Sequence, residues 1–221
     1  MKIRDIPQSG SLGETVTYDS RYGQIRRQKT VPRNPRTAVQ MGWRAAFQQA
    51  RSFWGTLSDE QFLAWDVVGQ ARRTQAVLGR SGPISGYLVS VSVNAHLAMI
   101  GQPMVSAPPP IPVFPASPVV GLAITGAADA LAMKLQLSGT PVGAVLVFGA
   151  RPQSPGVRYV DHFPFLGVLP EQAGGEADIT ALYVARFGVP PAGKRVFVQT
   201  VQQINGWQDQ PNTLSARVLA P

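Results

Sequence analysis

The side chains that could do chemistry in this chain are few and scattered. It has two histidines, His96 and His162, and no cysteine. The histidines are far apart, and neither sits in a metal-ligand spacing such as two histidines four apart on a helix. His162, between Asp161 and Phe163, reads as a strand residue at a sheet edge rather than as a general base. The carboxylates Asp59, Glu60, Asp66, Glu171, Glu176 and Asp178 fall mostly at expected helix caps and loops, where helix-dipole and solvent contacts explain them. Neither Gly79 to Gly86 nor Gly167 to Gly175 is framed by the strand and helix that a phosphate-binding loop needs. The sequence therefore predicts no catalytic constellation, no metal and no cofactor.

One chemically suggestive segment is left. Arg21, Arg26, Arg27, Lys29, Arg33 and Arg36 cluster around Tyr18 and Tyr22. Guanidinium forks hold phosphates or carboxylates and aromatic rings stack, so these eight residues are the candidate contacts to a partner or to nucleic acid. The net charge of +8 supports this, since residues 1–110 hold 13 Lys and Arg against 6 Asp and Glu while residues 111–221 are nearly balanced. A basic half attracts anionic partners at long range, although a solvated basic face would look the same.

The elements that must position these residues follow from periodicity. Residues 1–33 alternate in short runs between Gly10, Gly13 and Gly23, which predicts an extended basic arm or small hairpin with too little core of its own. Asn34-Pro35 carries a helix-start signal. Val39, Trp43, Phe47, Ala50, Phe53, Trp54 and Leu57 then recur at helical spacing to about Gly55. Ser58-Asp59-Glu60-Gln61 is a capping box opening a second helix that ends near Arg72-Arg73. The aromatics of these two helices, including Phe62 and Trp65, are expected to form a helix-hairpin core. Residues 85–100 fit a third helix, although Val89 to Val93 also alternates like a strand; length and the stop at Gly101 favour helix.

Residues 103–118 are rich in proline, with the run Pro108-Pro109-Pro110, and read as an extended linker between a helical domain over 34–102 and a second domain over 119–221. After it the period changes to that of strands: Val119 to Thr125, Ala130 to Leu137, Ala144 to Phe148, Val157 to Val168, Lys194 to Gln202 and Ser215 to Leu219. A short helix is expected over Asp178 to Gly188 and a tight turn at Asn205-Gly206. The fold class is thus α+β, with an N-terminal arm and helices and a C-terminal antiparallel β-sandwich. No run is apolar and long enough for a signal or a membrane span, so synthesis in the cytoplasm is the expectation.

Residues 23–40, with Asn34-Pro35-Arg36-Thr37 and Gln40, then Trp54-Gly55-Thr56-Leu57-Ser58 and Ala64-Trp65, resemble uncharacterised bacterial and prophage-type proteins that share an NPRT-x-x-Q stretch, a W-x-x-L-(S/T) turn and an A-W pair. The resemblance covers about residues 20–70 and carries no established activity. The strand-rich half looks like the fibronectin type III or immunoglobulin-like modules of phage structural proteins. Together these imply a non-enzymatic structural or assembly protein of a phage-like virion or other large assembly, a homo-oligomer whose partners are subunits of the same particle. The alternatives are a nucleic-acid-associated protein using the basic half, and a surface adhesion module, which would be extracellular.

Overall fold

The computed structural model describes residues 9–20, 23–31, 34, 36–74, 81–126, 130–170 and 175–218. These form two compact units, residues 1–37 and residues 38–221. Among the described residues there are four helices and three antiparallel sheets, an α+β protein with most of its strands in the C-terminal half.

The first unit is a three-stranded antiparallel meander of β1 (Gly10–Leu12), β2 (Thr15–Ser20) and β3 (Gly23–Gln28). Gly13, with φ +57, turns the chain between β1 and β2. In this unit Thr17 is buried, while Leu12 and Val31 are 87% and 85% exposed. The expected helix start at Asn34-Pro35 is corrected. The Asn34 side chain accepts from the Arg36 amide at 3.2 Å, but Arg36 has φ +48, which no helix tolerates, and the helix begins at Ala38. Pro35 lies outside the described residues.

The second unit opens with α1 (Ala38–Trp54), α2 (Asp59–Ala71) and α3 (Gly86–Met99). The capping box opens α2: Ser58 Oγ accepts from the Gln61 amide at 3.4 Å and Gln61 Oε1 accepts from the Ser58 amide at 2.9 Å. Ser85 caps α3 more simply, its Oγ accepting from the Leu88 amide at 3.4 Å. Both α1 and α2 pack on α3. The α2–α3 crossing is close because glycine faces glycine. A Cβ on Gly69 would come within 2.5 Å of the Ile84 carbonyl oxygen, and one on Gly86 within 2.6 Å of the Trp65 carbonyl carbon.

The strands that follow are β4 (Val119–Thr125), β5 (Ala132–Leu137), β6 (Ala144–Gly149), β7 (Phe165–Val168) and β8 (Glu176–Asp178). Helix α4 (Thr180–Phe187) comes next, and β9 (Arg195–Ile204), β10 (Trp207–Gln208) and β11 (Asn212–Arg217) complete the described chain. One sheet has the order β4-β5-β8, the other β10-β9-β6-β7, with β11 also on β9. The expected strand from Val157 is shorter than its sequence pattern. Only Phe165–Val168 pairs with β6, and His162 lies exposed in the irregular segment before it, not in a sheet. The final strand expected at Ser215 starts earlier, at Asn212; Leu219 lies outside the described residues, as do Gly79 and Glu171.

The two sheets share one core: Val119 and Ile124 from β4, Met133 and Leu135 from β5, Val145 and Val147 from β6, Val196 and Val198 from β9, closed by Ile179 and Tyr183. A second core lies among the helices, built from Leu57, Trp65, Val89, Val93 and Leu97, and it includes Trp207 from β10. Strand β9 connects the two cores. Its ten residues span about 33 Å. Its first half is paired by β11, whereas its last residues and the turn beyond lie against α3.

Residues 103–118 have no regular secondary structure, as their prolines dictate, yet they lie inside this second unit and not between two. Val105 and Phe114 pack against the helical core. Trp65 donates its indole N–H to the Ser106 carbonyl at 2.8 Å, Trp207 donates to Pro109 at 3.1 Å and Gln202 to Ala116 at 3.3 Å. Proline supplies carbonyl acceptors without donors, so a proline-rich segment suits a place where side-chain N–H groups do the binding.

Candidate interaction surface

The candidate residues of the first unit are arranged by the strand period. Tyr18 pairs with Ile25, Thr17 with Arg26 and Val16 with Arg27. Neighbours along a strand point to opposite faces, so Arg26 and Arg27 do not form one cluster. One face carries Tyr18, Val16, Ile25 and Arg27; the other carries Thr15, Thr17, Gln24, Arg26 and Gln28. On the first face the Arg27 guanidinium sits 5.6 Å from the centroid of the Tyr18 ring, a diagonal cation–π pair with Tyr18 38% exposed. Lys29 follows β3 with its backbone amide bonded to the Glu14 carbonyl and its side chain exposed. Arg36 is exposed at its left-handed backbone position. Arg21, Tyr22 and Arg33 lie outside the described residues.

One face of this sheet thus presents a cation beside a ring. Its exposed Leu12 and Val31 add apolar area. The separation of Arg26 from Arg27 was readable in advance, because a strand over residues 23–28 dictates it.

In the second unit the aromatics of α1 and α2 divide. Trp65 is fully buried, and Phe53, Trp54 and Phe62 are partly buried against the same core, with Trp54 and Phe62 rings 4.7 Å apart. Trp43 instead meets Phe165 edge-on at 5.8 Å, and Phe47 is 52% exposed, so these two are not part of the helical core expected for them. Trp43, Arg44, Phe47, Gln48 and Arg51 line an open groove of about 930 Å³ along α1. On α2, Leu63 and Val67 are exposed one turn apart.

A smaller recess of about 340 Å³ lies where the turn after β9 meets α3. Arg72 stacks over the Trp207 ring at 4.8 Å, and His96 Nδ1 lies 3.0 Å from the Gly206 carbonyl oxygen. A carbonyl only accepts, so the neutral ring carries its proton on Nδ1. Burial holds His96 below the usual histidine value, partly offset by that hydrogen bond. Tyr183, whose hydroxyl donates to the Ala150 carbonyl at 2.8 Å, is pushed up by burial and stays neutral. Among the described residues, no group of three or more His, Asp or Glu is placed to hold a metal ion, and no helix is long and apolar enough to cross a membrane. Sequence reasoning did not single out Trp207 or Asn94, because their partners lie far off along the chain or in a segment without period.

Comparison with protein-family models, with curated proteins and with solved structures finds no match for this chain.

Proposed function

We propose that this chain is a non-enzymatic structural component of a phage-like virion or another large protein assembly, docking on neighbouring subunits through its N-terminal arm and helices. The observation that carries this reading is the first unit: a three-stranded sheet in which Thr17 is buried and the other strand residues whose burial is described are exposed or half-exposed. A sheet this small is marginal in water and needs a surface to lie on. The immunoglobulin or fibronectin type III likeness of the strand-rich half is part of the proposal. It is supported by seven antiparallel strands in two sheets, β4-β5-β8 and β11-β9-β6-β7, around a common core.

The test is the mass in solution of the purified, nuclease-treated chain at low and high salt, compared with a chain lacking residues 1–33. The expected result is a discrete oligomer or polymer that persists in salt and is lost on truncation, while the truncated chain keeps its melting temperature. Normal assembly of the truncated chain would overturn the docking role of the arm. The Tyr18–Arg27 pair supports a second reading, nucleic-acid association through the basic half. In that case a monomer would bind nucleic acid with an affinity that falls steeply with salt, as phosphate contacts release counterions.

A further inference from the structure

We infer that copies of this chain contact one another through α1 of one copy and α2 of the next. The inference rests on the assembly reading and names the contact within it. Each helix has a face the second unit leaves uncovered. On α1 the groove residues Phe47 and Gln48 lie four and three positions before Arg51, which places them on one stripe that ends in a cation. On α2 the exposed Asp59, Glu60, Leu63 and Val67 form a stripe that is acidic at its N-terminal end and apolar beyond it.

The two stripes match in charge at one end, Arg51 against Glu60, and in apolar surface beside it, Phe47 against Leu63. Laid antiparallel, Arg51 meets Glu60 where Phe47 meets Leu63. The same orientation brings the C-terminal end of α1 against the N-terminal end of α2, where the helix dipoles attract. Neither stripe supplies an ion pair to its own copy: the α1 stripe carries no acid and the α2 stripe no base, so Arg51 finds its counter-charge on α2. The contact therefore joins unlike faces, which is how one kind of subunit builds a ring or a filament, or a dimer if both contacts close at once.

The experiment measures the dissociation constant of the full-length chain by sedimentation for the wild type, Arg51→Glu, Glu60→Arg, the double variant and Leu63→Asp, with melting temperatures to show that each is folded. Arg51→Glu and Glu60→Arg should each weaken association about tenfold or more, and the double variant should recover most of the loss because the pair is restored with its signs exchanged. Leu63→Asp should also weaken it. An oligomer indifferent to all of these overturns the inference and leaves the assembly reading standing. A wild-type chain that stays monomeric at every salt concentration overturns both. A monomer that binds single-stranded oligonucleotide, with binding lost in Arg51→Glu, assigns the α1 groove to nucleic acid and overturns the inference.

Discussion

Asn94, fully buried on α3, hydrogen-bonds both backbone groups of Val105: its Oδ1 accepts from the Val105 amide at 2.7 Å and its Nδ2 donates to the Val105 carbonyl at 3.2 Å. A side-chain amide carries one donor group and one acceptor, as a peptide unit does, so it can pair an irregular chain segment as a strand would.

Removing that amide leaves two half-buried backbone groups of Val105 without their side-chain partner. Asn94→Ala and Asn94→Leu should each destabilise the protein by about 2 to 4 kcal/mol, measured by urea unfolding. Asn94→Asp should be destabilising as well, since a carboxylate keeps the acceptor for the Val105 amide but faces the Val105 carbonyl with a second acceptor.

The division of aromatics between core and surface predicts unequal costs. Trp65→Ala should lose about 3 to 5 kcal/mol, and Trp65→Phe about 1 to 2 kcal/mol as the hydrogen bond to Ser106 goes. Phe47→Ala, at a half-exposed position, should stay within about 0.5 kcal/mol. A series of denaturation midpoints in which Phe47→Ala costs as much as Trp65→Ala would contradict the burial described for α1.

Gly206 has φ +82 in the turn after β9, and a Cβ there would lie 2.6 Å from both Val93 Cγ1 and the Val93 carbonyl oxygen. Gly206→Ala meets strain and collision together, and should cost about 2 to 4 kcal/mol. Asn205, with φ +50, completes the turn. Asn205→Ala should be milder, because nothing but the backbone angle opposes it.

The lowered pKa of His96 sets a pH dependence. The unfolded chain takes up a proton as pH falls through about 6.5, while the folded chain resists until lower pH. Between those two values the unfolded state binds more protons, so stability falls with falling pH, and above about 6.5 the group contributes no penalty. Melting temperature should therefore drop between pH 7.5 and 5, and less so in His96→Gln, which keeps a donor for Gly206. Equal drops in both proteins would remove His96 as the cause.

Local features of this fold are written in local sequence. The Ser58–Gln61 box, the Ser85 cap, the bounds of β4 and the helix ending at Gly188 all follow from residues within a few positions of one another. Arg36 shows where that reading stops, since the asparagine signal before it is real but the backbone turns the other way. Long-range placement was not legible. Period reveals that α3 is apolar, but not that Asn94 on it would be buried by a proline-rich segment, nor that Trp207 would cross to the helices. In the first unit the basic residues were legible as a group, and their division between two faces needed only the strand period.

The position of Trp207 also bears on how the chain is made. The helical core is closed by a residue that leaves the ribosome about 140 positions after Trp65, on the order of ten seconds later at ordinary elongation rates. Until then Val89, Val93 and Leu97 lack part of their cover, and the segment that holds Trp65 has no Trp207 to anchor it. Synthesis and final packing are therefore out of step: the helices come first and are completed last, and a nascent chain stalled short of the turn after β9 would present its most apolar helix to the cell.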